Sequence, residues 1–102
     1  MFVHHVFFYA AENADLAALR TGIETLTSIE TIKQWHIGVP AATNRPVIER
    51  GYTFSWLLFF DNEADQTIYQ DHPIHQAFIQ NCAHLWQKVV VYDSQPTDES
   101  VD

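Results

Sequence analysis

The chain has 102 residues, 47% hydrophobic and 18% charged, a size and balance that fit one domain around one core. Thirteen acidic against five basic side chains give a formal charge of −8, which argues against nucleic acid and anionic membranes as partners, because affinity for phosphates rests on clustered Lys and Arg. The single Cys82 cannot close an intramolecular disulfide, the N-terminus lacks the regions of a secretory signal, and the longest apolar run, Trp56 to Phe60, is far too short to span a bilayer, so the expected location is the cytoplasm.

Residues 2–10, FVHHVFFYA, read as a strand with Val3, His5, Phe7 and Tyr9 on one face and His4, Val6 and Phe8 on the other, apolar groups on both. From Asn13 the period changes: Leu16, Leu19, Ile23 and Leu26 recur at helical spacing behind Asn13 or Asp15 as N-caps, predicting a helix to about Ser28. Thr31 to Val39 fits a second strand, ended by Gly38 and Pro40, and residues 40–51 read as a surface connection with two prolines. Tyr52 to Asp61 is the strongest strand. Asp61 or Asn62 caps a short helix through Tyr69, Pro73 opens another to about Gln87, and Lys88 to Asp93 closes as a last strand. Residues 1–93 thus form the domain, and the polar, acidic stretch 94–102 is expected to be a flexible tail.

The order βαββ(α)αβ suits a ferredoxin-like α+β fold, a four-stranded antiparallel sheet with its helices on one face. The other face would expose side chains such as Phe54, Trp56 and Leu58 or their neighbours, a patch too apolar to stay uncovered. A two-fold homodimer, sheet against sheet, would cover it and form an α+β barrel with a cavity for a small molecule in each subunit.

The stretch YQDHPIHQAF concentrates polar aromatic groups where a helix restarts: Tyr69, then His72, Pro73, His75 and Phe78. An imidazole titrates near neutral pH, so His75 can take a proton from carbon beside a carbonyl while Tyr69 donates a hydrogen bond to the carbonyl oxygen. The competing reading is structural: Pro73 starts the helix and His72 satisfies nearby backbone groups. A metal site is not expected, because Pro73 separates the histidine pair and no HExxH or Cys pair accompanies it. Cys82 falls on the apolar stripe with Phe78 and Leu85 and reads as core. Trp56 and Trp86 could wall an apolar ligand site or fill the core.

These strings, in this order, resemble the stress-responsive A/B barrel (Dabb) family of dimeric α+β-barrel proteins. HHVFF in the first strand, RGYTFSWLLFF, YQDHPIHQAF and LWQKVVVYD carry the resemblance over residues 2–93. It implies the ferredoxin-like fold and the dimer. One plant member is a polyketide cyclase that needs no cofactor, and its catalytic histidine and tyrosine match His75 and Tyr69, while the histidine of its first strand matches His5. A further cavity histidine falls at Phe54, so three of four polar groups are kept. The resemblance thus implies catalysis by His75, Tyr69 and His5, with Phe54, Trp56, His72, Phe78 and Trp86 around the ligand and no cofactor. By strand alternation His4 points away from His5 and is not counted with this site. Two alternatives stand beside it, a stress-associated structural oligomer and a cofactor-free monooxygenase-like or haem-handling enzyme.

Overall fold

A computed structural model describes residues 1–97; the end of the expected tail, residues 98–102, lies outside them. Four strands, β1 (Phe2–Ala10), β2 (Gln34–Gly38), β3 (Phe54–Phe60) and β4 (Trp86–Ser94), form one antiparallel sheet in the order β2-β3-β1-β4. Three helices, α1 (Leu16–Thr25), α2 (Glu63–Asp71) and α3 (Pro73–Cys82), lie with it in the chain order expected of the ferredoxin-like fold.

Strand alternation sorts the side chains into two layers. Phe2, His4, Val6 and Phe8 of β1 and Phe54, Trp56, Leu58 and Phe60 of β3 are buried, joining Leu19 and Ile23 of α1, Tyr69 of α2 and Phe78 of α3 in the core. The opposite face presents Val3, His5 and Phe7, with Leu57 and Phe59 beside them on β3 and Val90 and Tyr92 on β4. The expected second apolar face is present: Phe54, Trp56 and Leu58 belong to the core, and it is their neighbours Leu57 and Phe59 that face outward.

Local chemistry sets the helix ends. Asn13 takes a left-handed φ of 62°, which asparagine tolerates, and α1 begins only after Asp15, whose carboxylate accepts from the Ala18 amide at 3.0 Å. Asn62 caps α2 in the same way, accepting from the Asp65 amide at 2.9 Å. Residue 72 precedes proline and is pushed out of the helical region, to φ −65° and ψ 140°, so α2 stops at Asp71 and Pro73 opens α3. Gly22 lets α1 lie close to α3, since a Cβ there would come within 2.4 Å of Cys82 Sγ. Cys82 is buried, and that burial raises its thiol pKa, in keeping with a core role.

The third helix is shorter than its spacing predicts. It ends at Cys82, a 3-10 turn covers Ala83–Leu85, and Trp86 begins β4 instead of ending a helix. Ser94 likewise completes β4, where the sequence places it in the tail.

Candidate functional site

The bend at His72 builds the site. It places Tyr69, in the last turn of α2, against His75, in the first turn of α3, with ring centroids 4.9 Å apart and edge to face. Both rings reach a cavity of about 160 Å³ between these helices and the strands β1, β3 and β4. Its walls are largely apolar, including Val6, Phe8, Trp56, Phe78, Trp86 and Val89. Its polar groups are His4, Tyr69, Gln70 and His75.

Each polar group is held by a partner. The indole Nε1–H of Trp56 donates to Tyr69 Oη at 2.9 Å, which leaves the phenol proton free to be given elsewhere. Tyr69 is 1% exposed, and burial pushes its pKa well above the ordinary tyrosine value, against a smaller opposing effect of the Trp56 bond. It is thus a neutral donor at pH 7. Gln66 Nε2 donates to Gln70 Oε1 at 3.0 Å, turning the Gln70 NH₂ toward His75 Nε2 in a longer contact of 3.5 Å. Burial, and next the neighbouring His4 ring, lower the pKa of His75, while Asp71 acts in the opposite direction. Its imidazole is therefore neutral near pH 7 and able to accept a proton.

His4 completes the set. Its Nδ1 lies 2.5 Å from Asp93 Oδ1 on β4, and its ring centroid is 5.8 Å from that of Tyr69. A carboxylate bound at Nδ1 fixes the tautomer and leaves Nε2 as the nitrogen that can take a proton. His4 and Asp93 sit opposite each other in the β1–β4 ladder, which is why residues 89 positions apart in sequence meet.

His5 does not join Tyr69 and His75. It stands on the outer sheet face, its ring 4.3 Å from that of Phe7, and its pKa is lowered by burial and then by His36 and His4. The first-strand histidine that reaches the cavity is His4, one residue earlier. The signal that could have found it is Asp93, the lone carboxylate of the last strand. Trp56, Phe78 and Trp86 line this cavity, Trp86 from β4. Phe54 is buried in the core and borders a separate crevice with Ile37 and Arg20. His72 serves the helix junction: its Nδ1 accepts from the Ile74 amide at 3.1 Å and its Nε2 lies 3.4 Å from Glu30. Gln70, Ile79, Val89 and Val91 are lining residues that sequence reasoning missed.

Two larger hollows carry less chemistry. A crevice of about 540 Å³ between α1 and α3 is lined mainly by small and apolar side chains, and one of about 430 Å³ on the outer sheet face is framed by Tyr9, Tyr52, Tyr92 and Lys88. Among the described residues no group of three or more His, Cys, Asp or Glu side chains is placed to hold a metal ion, and no helix is long and apolar enough to cross a membrane.

Fold and site together define a ferredoxin-like α+β protein with a histidine- and tyrosine-lined cavity between its sheet and two of its helices. The stress responsive A/B barrel domain model matches residues 2–96, and the chain belongs to that family. A solved Arabidopsis thaliana protein is similar at 22% identity over 96% of this chain and 97% of its own, with a TM-score of 0.77. A dimeric ferredoxin-like protein of unknown function from Jannaschia sp. aligns at 18% identity over 93% and 98% of the two chains, with a TM-score of 0.75. The hydroxynitrile lyase of Passiflora edulis aligns at 19% identity over 91% and 90%, with a TM-score of 0.71. At these identities the likeness establishes the fold alone. No curated protein matches the chain significantly.

Proposed function

We propose that this protein is a cytoplasmic homodimer, joined sheet to sheet, in which each subunit binds a small carbonyl compound and moves a proton next to its carbonyl group without a cofactor. The observation that carries this reading is the meeting of His4, Tyr69 and His75 on one largely apolar cavity. His75 takes the proton from the carbon beside the carbonyl, the C–H electrons flow into the enolate, and the Tyr69 hydroxyl donates to the oxygen as its charge grows. The Asp71 carboxylate favours the imidazolium that forms. His4, oriented by Asp93, is the second imidazole, able to return or receive a proton on its Nε2. When the enolate carbon faces another carbonyl of the same molecule, the identical groups support ring closure. Among proteins sharing the fold, one is a hydroxynitrile lyase, so the scaffold is compatible with lyase chemistry.

The dimer reading rests on the outer sheet face, where Val3, Phe7, Leu57, Phe59 and Val90 form a surface too apolar for a lone subunit, and on the dimeric Jannaschia neighbour. The same surface favours a second reading, a structural oligomer without catalysis. Acetophenone in deuterated buffer tests the choice: the protein should speed exchange of the methyl protons, followed by proton NMR. His75→Ala and Tyr69→Phe should each lower that rate by about 10²-fold or more. A wild-type rate equal to buffer, with a light-scattering mass above the dimer, would favour the structural oligomer.

A further inference from the structure

Resting on that reading of the cavity, we infer that its ligand carries no charge: the site takes a neutral carbonyl compound built on a single ring and turns away carboxylates and phosphates of similar shape. Size comes first. A cavity of about 160 Å³ is close to one that accepts benzene. Ile79 and Val91 border it and are 41% and 45% exposed, so a substituent leaving the cavity past them meets an apolar lip.

Charge decides the rest. The chain has five Lys and Arg side chains, and none lines this cavity. Arg20 lies beside Glu24 on α1, Lys33 pairs with Asp61 at 3.2 Å, Arg45 and Arg50 are in the β2–β3 connection, and Lys88 sits over Tyr9 beside the outer-face crevice. Two carboxylates act on the histidines of the site: Asp93, bonded to His4, and Asp71, whose charge reaches His75. His75 is held neutral by burial, and a protonated His4 would already be matched by Asp93. An anion entering here would shed its water and gain only neutral donors, Tyr69 and Gln70, with two carboxylates close by. A neutral carbonyl meets no such penalty. It becomes negative only during reaction, when the Tyr69 proton faces it and His75 has just become cationic, so the surroundings favour the transition state over any charged ground state.

The experiment compares three ligands of nearly equal shape, acetophenone, benzamide and benzoate, at pH 8 against the intact protein. Proton–nitrogen NMR reads the indole signals of Trp56 and Trp86, which line the cavity, with Trp35, which does not, as reference. The expected result is saturable shifts of Trp56 and Trp86 with both neutral compounds and at least about tenfold weaker binding of benzoate, with Asp93→Asn narrowing that gap. Benzoate binding as tightly as benzamide overturns the inference while leaving the ligand site standing. Shifts with none of the three remove the ligand-site reading and the inference together.

Discussion

The hydrogen bond from Trp56 to Tyr69 offers a quantitative test, because both side chains are fully enclosed, at 0% and 1% exposure, and the bond is 2.9 Å long. Tyr69→Phe keeps the ring and its contacts with Phe60 and His75 and removes only the oxygen. The indole N–H of Trp56 is then left without its protein partner in a buried setting. An orphaned buried donor costs about 1–3 kcal/mol, more than the net value of an ordinary hydrogen bond, so the variant should lose stability in that range. Trp56→Phe removes the donor but also leaves a void, so the informative quantity is the coupling in a double-mutant cycle. It should be favourable by about 1 kcal/mol. Urea unfolding at fixed protomer concentration, followed by far-ultraviolet circular dichroism, supplies all four values. A loss below about 0.5 kcal/mol for Tyr69→Phe, with no coupling, would refute the assigned bond and with it the account of how the phenol proton is aimed.

Other expectations follow from the same geometry. His72→Ala removes the cap on the Ile74 amide and should cost about 1 kcal/mol while leaving ligand-induced shifts at Trp56 and Trp86 in place. Tyr69 has a raised folded-state pKa, so its contribution is intact below pH 10.0 and is lost as pH rises beyond it; Tyr69→Phe should flatten stability against pH in that alkaline range. For His75 the shift is downward, so the unfolded chain binds protons first and stability declines as pH falls below 6.5, whereas proton-abstraction activity persists until pH drops through the lowered folded value; a pH–rate profile with its acid limb above 6.5 would contradict this. Leu57→Asp, on the outer face, should convert a dimer to monomer by light scattering.

How far the sequence could be read depended on whether the deciding interaction was local. The junction at Tyr69–Phe78 was legible because a residue before proline leaves the helical region and proline suits a helix start, both consequences of covalent geometry. The choice between His4 and His5 was not. Strand alternation says that they face opposite ways, but both faces of β1 are apolar, so only the tertiary packing sets which one meets the helices. The Asp93 partner lies 89 positions away and is supplied by ladder register. Trp86 was misplaced for a similar reason: Cys82, Leu85 and Trp86 continue the helical spacing from Phe78, yet the chain turns through Ala83–Leu85 and Trp86 enters β4.

The most direct test of the account sets the two neighbouring histidines against each other, using methyl proton exchange of acetophenone with His4→Ala and His5→Ala at matched dimer concentration. With His4 in the cavity beside Tyr69 and His5 on the far side of the sheet, exchange should fall in His4→Ala and stay near the wild-type rate in His5→Ala. Loss of activity in His5→Ala with His4→Ala unaffected would contradict the site as built from this structure.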